Sequence, residues 1–515
     1  MIPISDSRIR TLNDYSENNE GEYVLYWMIS TRRPNFNAGL QRAAEIAKKF
    51  DKPLLVFEAI STQHKFANDR IMTFMIQGMN DNMKYFESQQ IRFIPWVETP
   101  LQPSNGILKR LSTRAVAVVT DDFPTYYPRM IIERIKHVIK VRFEAIDSNG
   151  LIPMSWATKA YPTAHSFRRH VHSRFVEAWS NLPNSNTIPK EHNFWMNDEL
   201  FQSVLKTSKI KLTPFEWIWR VCQGGTIGET ALATLDIDHE VPAVDQIEGG
   251  YTKALENLQD FIENRMARYH LDRNSVDNSA VSGFSSWIHF GHISTIEIVQ
   301  TILESAGWSP TMVNDNLRGR RSGWWGLPEP VEAFLDQIIT WRELGFNFAF
   351  HRDDYSSFSS IPDWAKKSLL EHKDDPRIKY TFKELENAET HDELWNAAQR
   401  QLTRVGIIHN YLRMLWGKRI LEWAPSPEIA ADWMIQINDR WALDGRDPNS
   451  YTGIFWVLGR HDRAWGPERP IFGKVRYMSS KNTARKLNVR TYLERWAKES
   501  LLWDNLEVKQ CNINV

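Results

Sequence analysis

A change of pattern near the middle of the 515-residue sequence constrains its fold more than anything else. Between residues 23 and 153, short apolar runs alternate with amphipathic stretches, and from about residue 240 onward the strand-like runs disappear. The runs are YVLYWMI (23–29), PLLVFEAI (53–60), RFIPWVE (92–98), AVAVVTDD (115–122) and VRFEAID (141–147). Runs so short and so uniformly apolar read as strands covered on both faces. The stretches between them, NAGLQRAAEIAKKF, ANDRIMTFMIQGMNDNMKYFE and YPRMIIERIKHVI, read as helices. Alternation at this pitch predicts a doubly wound parallel sheet. The expected fold is therefore an α/β N-terminal domain (1–154), a connector (155–240) and an all-α C-terminal domain (241–515). The connector holds a basic amphipathic helix, HSFRRHVHSRF, which also suits a solvated face, and a loop marked by Pro183, Asn184, Ser185, Asn186 and Pro189.

Composition narrows the function classes. Lys plus Arg equals Asp plus Glu at 63 each, so no global field draws the chain to nucleic acid, and a DNA site must come from a local basic patch. Cys222 and Cys511 are the only cysteines and lack metal-ligand spacing, which argues against a disulfide framework or a zinc site. No signal-peptide core and no run of eighteen apolar residues occurs, so a cytoplasmic protein without membrane contact is expected. The first strand lacks a following Gly-x-Gly-x-x-Gly, which leaves the usual dinucleotide site unsupported. Residues 30–35 and 120–122 are nonetheless where such a sheet places a ligand.

The densest region is 391–478. Trp416 and Trp423 are seven residues apart in one helical pattern, which puts both indoles on one face roughly 10 Å apart. With Trp395 they suit electron hopping, and the same spacing also describes a packed core. In VSGFSSWIHFGHIS (281–294), Ser282 and Ser285 precede a helix, an arrangement that caps the helix or holds a pyrophosphate. The segment from 460 to 498 is rich in Lys and Arg and poor in Asp and Glu, and LRGRRSGWW (317–325) is a second basic cluster.

The segments THDELWNAAQ, LRM.W.K.ILEW, NDR..LDGRDPN and FGKVRYM, in this order, strongly resemble the photolyase/cryptochrome family, and within it the class II cyclobutane-dimer photolyases. The match extends more weakly through FSSWIHFGHIS (284–294) and YWM (26–28). The resemblance implies FAD as cofactor, with or without an antenna pigment in the α/β domain, and a monomer acting on double-stranded DNA that contains pyrimidine dimers. It implies FAD phosphates held by Tyr269, Ser282, Gly283, Phe284 and Ser285, and an Arg413–Asp444 salt bridge beside the flavin. Asn438 would lie near flavin N5, and Trp395, Trp416 and Trp423 would return electrons to oxidised flavin. On the substrate side it implies Trp341, Met414 and Trp456 as walls for a flipped dimer. Arg463 would fill the hole the dimer leaves, and Lys474 and Arg476 would lie on a backbone-binding hairpin.

This chain departs from the class at Trp287 (usually tyrosine), Asn410 and Ser450 (both glycine) and Gln337, where the class carries a glutamate that bonds the dimer carbonyls. An amide still donates to a carbonyl but supplies neither a carboxyl proton nor a negative charge. Gln337 favours a flavin photoreceptor without repair, whereas Trp341, Trp456 and Arg463 favour repair. A helical nucleic-acid-binding protein without cofactor is the third reading.

Overall fold

The computed structural model describes residues 2–189, 192–277 and 279–499, so Cys511 lies outside the described residues. Six strands form one sheet: β1 Ile9–Thr11, β2 Tyr23–Met28, β3 Leu54–Ile60, β4 Arg92–Val97, β5 Ala115–Asp121 and β6 Arg142–Ile146. Their spatial order is β1-β6-β5-β2-β3-β4. Strands β2 to β6 pair in parallel, with Leu25 opposite both Leu55 and Val118. β1 runs antiparallel to β6 at the edge, so the sheet is parallel in all but one strand. Every residue of β2 and β5 is buried, because α1 (Ala38–Phe50), α2 (Asp69–Ser88), α3 (Ile107–Ser112) and α4 (Tyr126–Ile135) cover the two faces. Asn37 and Asn68 start α1 and α2 by accepting from Leu40 N and Ile71 N.

The stretch read as a connector carries α5 (Ala164–Trp179), α6 (Asp198–Ser208), α7 (Phe215–Cys222) and α8 (Gly225–Leu232). Phe201, Val204 and Leu205 of α6 join the core beneath the sheet, and Ile218 and Val221 of α7 join the main helical core. Beyond them the order is α9 Tyr251–Asp260, α10 Tyr269–Asp272, α11 Ser285–His289, α12 Thr295–Ser305, α13 Glu329–Leu335 and α14 Arg342–His351. Then come α15 Asp363–Glu371, α16 Phe382–Glu386, α17 Glu393–Val405, α18 Asn410–Trp423, α19 Pro427–Trp441, α20 Pro448–Val457, α21 Ser480–Lys486 and α22 Arg490–Arg495. A π-helical turn, Asp336–Trp341, joins α13 to α14. Among the described residues no helix is long and apolar enough to cross a membrane, and no group of His, Cys, Asp and Glu is placed to hold a metal.

The chain leaving β6 is fastened to the helical half by buried charge. Glu343 of α14 accepts from Leu151 N at 2.8 Å and Ile152 N at 3.4 Å, and Arg342 donates to Asn149 O at 2.8 Å. A Cβ on Gly150 would stand 2.6 Å from Glu343 Oε1, so only glycine passes here without displacing the carboxylate. Burial pushes the Glu343 carboxyl up to about 7 against the pull of these amides and Arg342.

Candidate active site

Helix α18 supplies the centre. Arg413 lies one turn from its start and donates to both Asp444 oxygens, at 2.9 and 3.1 Å, and to Asn438 Oδ1 at 3.3 Å. The three residues thus come from α18, the end of α19 and the loop that follows it. Burial raises the Asp444 carboxyl, but Arg413, with the Ser285 hydroxyl and His289, outweighs it and holds the group below the usual carboxylate range. Asn438 is fully enclosed, whereas the Arg413 and Asp444 side chains keep 24% and 15% of their surface open. That leaves a charged but neutralised surface, partly open, which suits a polar cofactor ring.

Ser285 begins α11 and hydrogen-bonds Asp444, so the 282–285 turn abuts the same cluster. Ser282 O accepts from Asn257 Nδ2 at 3.0 Å, Gly283 takes a φ of 76°, and Phe284 is buried beneath them. Tyr269 packs edge-on to Phe261 and Phe334, with Arg273 5.6 Å from its ring. An exposed serine-rich turn, a paired arginine and a buried amide in one site fit the phosphates and the ring of a flavin dinucleotide.

The tryptophans continue from this cluster. Trp416 follows Arg413 by one turn and donates its indole N–H to Gln399 Oε1 at 2.8 Å. Trp395, placed by the Asp392 cap of α17, donates to Trp416 O at 3.0 Å and stands edge-on to Trp423 at 5.4 Å between ring centres. It therefore meets α18 at two points, the backbone carbonyl of Trp416 and the indole of Trp423. All three are buried, and Trp423 is covered by Tyr380 at 5.3 Å and His391 at 5.6 Å. The Tyr380 hydroxyl and His391 Nδ1 share a hydrogen bond of 2.5 Å.

The substrate-side residues show one departure from expectation. Trp341 and Trp456 are stacked on each other, 4.9 Å apart and 20° from parallel, so they do not bracket a cavity. Two rings that close leave no room for a base, and their paired indoles make one continuous wall. Trp456 Nε1 is buried there without a partner. Gln337 and Trp341 lie on the π turn, whose extra residue per turn shifts them off the common face that a regular helix gives residues four apart. Next to Gln337, Asp336 is locked to Arg168 of α5 by two bonds of 2.7 and 3.1 Å. Met414 is half-buried on α18.

Residues 465–475 form a short hairpin: Trp465 N donates to Lys474 O at 2.8 Å, and Arg469 and Gly473 exchange bonds of 3.1 and 2.7 Å. Trp465 is flanked by the guanidiniums of Arg463 at 4.5 Å and Arg476 at 4.3 Å. Arg476 also pairs with Asp462 and Lys474 with Glu468, so Arg463 is the exposed cation of the group without an ion pair among the described residues.

A cavity of about 290 Å³ opens at the carboxyl ends of β2 and β3, beside the point where strand order reverses between β2 and β5. Ser30, Arg32, His64, Trp96, Tyr126 and Arg446 are among its lining residues. Asp121, at the expected strand end, is spent in holding the turn after β2: it accepts from the N–H groups of Ile29, Ser30 and Thr31 at 2.8–2.9 Å and from the Tyr26 hydroxyl at 2.6 Å.

No family model matches the chain. It is 32% identical over 495 residues to the deoxyribodipyrimidine photo-lyase of Methanothermobacter thermautotrophicus, covering 96% of this chain and 98% of that protein. It is 30% identical over 492 residues to the protein of the same name from Potorous tridactylus, covering 94% and 83%. The chain belongs to the photolyase/cryptochrome family. Solved members of the family share its fold: a class III photolyase from Agrobacterium tumefaciens superposes with a TM-score of 0.59 at 15% identity over 92% of this chain and 86% of that one. A Synechocystis cryptochrome gives 0.60 at 15% over 92% and 88%.

Around this cluster, several side chains carry geometry that the sequence did not announce. Asp439 accepts from Asn438 Nδ2 at 3.2 Å, Arg446 N at 2.9 Å and the Tyr451 hydroxyl at 2.9 Å. Ser450 accepts from Asn438, and Gln399 anchors Trp416. Asp439 had a signal in its place beside Asn438, but Gln399, Tyr380 and His391 stand out only once the helices are packed.

Proposed function

We propose that the chain repairs cyclobutane pyrimidine dimers in double-stranded DNA by light-driven electron transfer, as a class II-like deoxyribodipyrimidine photo-lyase acting as a monomer with one FAD. The observation that carries this reading is the meeting of Arg413, Asp444 and Asn438 in one hydrogen-bonded cluster, one helical turn from Trp416. Bound there, FAD would supply a photoexcitable electron donor. The protein's part is binding, orientation and electrostatics. Ser282, Gly283 and Ser285 would hold the phosphates, with Phe284 and Tyr269 behind them. Arg413 and Asp444 keep the ring's surroundings near neutral, Asn438 hydrogen-bonds its edge, and the Trp416–Trp395–Trp423 array returns electrons from outside. Trp341, Trp456 and Met414 form the apolar wall against which a flipped dimer packs, and Gln337 donates an amide N–H to a pyrimidine carbonyl. Arg463, held against Trp465, enters the gap in the duplex, while Lys474 and Arg476 meet phosphates. The cavity beside β2 and β3 would hold an antenna pigment.

Two measurements test this. Purified protein should be coloured and release FAD on heating, and it should restore dimer-containing oligonucleotide in light but not in the dark. Dimer binding without splitting under light would favour the second reading, a flavin photoreceptor, for which Gln337 in place of a carboxyl group is the specific support.

A further inference from the structure

Ser450, a glycine in the class this sequence resembles, has an effect on Asn438 that follows from donor and acceptor chemistry. The Asn438 Nδ2 donates to Asp439 Oδ1 at 3.2 Å and to Ser450 Oγ at 2.7 Å, and its Oδ1 accepts from Arg413 at 3.3 Å. A carboxylate only accepts and a guanidinium only donates, so the reversed amide would face oxygen against oxygen and N–H against N–H. Its orientation is therefore fixed. Asp439 is held in turn by Arg446 N and the Tyr451 hydroxyl, and Asn438, Asp439 and Ser450 are all buried. An amide nitrogen carries two hydrogens, and here both are used within the protein. Glycine at 450 would leave one of them free. With serine, the amide offers a neighbouring molecule only the remaining lone pair of Oδ1.

We propose that Ser450 is a positioning residue that locks Asn438 as a hydrogen-bond acceptor, so that the site favours a flavin whose N5 carries a proton, the reduced form, over the oxidised form. This rests on the reading that FAD binds against Asn438. In oxidised flavin N5 is itself an acceptor and would face Oδ1 lone pair to lone pair. To offer it an N–H, the amide must give up Ser450 and turn away from Asp439 and Arg413.

The test compares FAD-loaded wild type with Ser450→Ala and Ser450→Gly, reading the flavin midpoint potential against a reference dye and the rate of dark reoxidation in air. Both variants should have a lower potential and reoxidise faster. The oxidised-to-reduced equilibrium should shift roughly two- to tenfold, as for one hydrogen bond, at most about 30 mV for a two-electron couple. Ser450→Thr, which keeps the hydroxyl, should stay close to wild type. Unchanged or raised potentials in variants that retain FAD overturn the lock while leaving the cofactor reading intact. Loss of FAD from both variants in either redox state also overturns it, since locking one amide does not retain a cofactor. A wild type that takes up no FAD removes both.

Discussion

At the scale of single residues, the electronic role proposed for Trp416 is joined to a structural one. Trp416→Phe removes the ring that is easily oxidised and strands the buried Gln399 Oε1, which costs about 1–3 kcal/mol of stability. Photoreduction of oxidised flavin by an external reductant should slow at least roughly tenfold while FAD stays bound, since about 1.4 kcal/mol on a barrier is already a factor of ten. Unchanged kinetics would reduce the three tryptophans to core. Gln337→Glu should raise repair per absorbed photon severalfold, because a protonated carboxyl is a stronger donor than an amide N–H to a carbonyl that gains negative charge on electron transfer. A charge-assisted hydrogen bond contributes ~1.5–3 kcal/mol against ~0.5–1.5 for a neutral one. If the change lowers the yield, the amide is this chain's working group. The Arg413, Asp444 and Asn438 cluster was legible because each lies inside a motif with little freedom. The stacking of Trp341 on Trp456 was not, because residues so distant in sequence carry no mark of their contact.

At the scale of elements, the proposed DNA face on and beside the 465–475 hairpin should divide into two kinds of contact. Lys474→Ala should weaken binding to dimer-containing and intact duplex alike and lower the salt slope by about one. Arg463→Ala should instead lower the preference for dimer-containing DNA, with a smaller change in binding to intact duplex. Titrations at several salt concentrations with both duplexes distinguish them, and identical behaviour of the two variants would refute the division of labour. The parallel strands were legible because burial on both faces writes them as apolar runs. β1 escaped because three residues, Ile9, Arg10 and Thr11, at a half-exposed edge make no pattern. The π turn escaped as well: DQIITW reads as regular helix, and nothing in it marks the wider turn, in which Asp336 pairs with Arg168.

At the scale of the whole molecule, the two halves meet across a titrating carboxyl. Glu343 ionises near 4.5 in the unfolded chain and at about 7 when folded, so the folded state binds more protons between these values. Its contribution is full below 4.5 and is lost as pH rises through 7. Stability of wild type relative to Glu343→Gln should therefore fall by on the order of 2 kcal/mol from the acidic to the neutral end of that window. Parallel melting curves for the two proteins would show that the carboxyl does not titrate there. A second meeting of the halves has a different consequence. Segment 285–290 bonds Asp444 through Ser285 and lines the strand-end cavity with His289 and Phe290; segment 444–447 pairs Asp444 with Arg413, lines the same cavity with Arg446 and joins His289 through Asp447 at 3.4 Å. The proposed flavin site and the strand-end cavity thus share these two segments. Neither can be remodelled as a separate module, because any substitution in 285–290 or 444–447 that reshapes one must also be tolerated by the other.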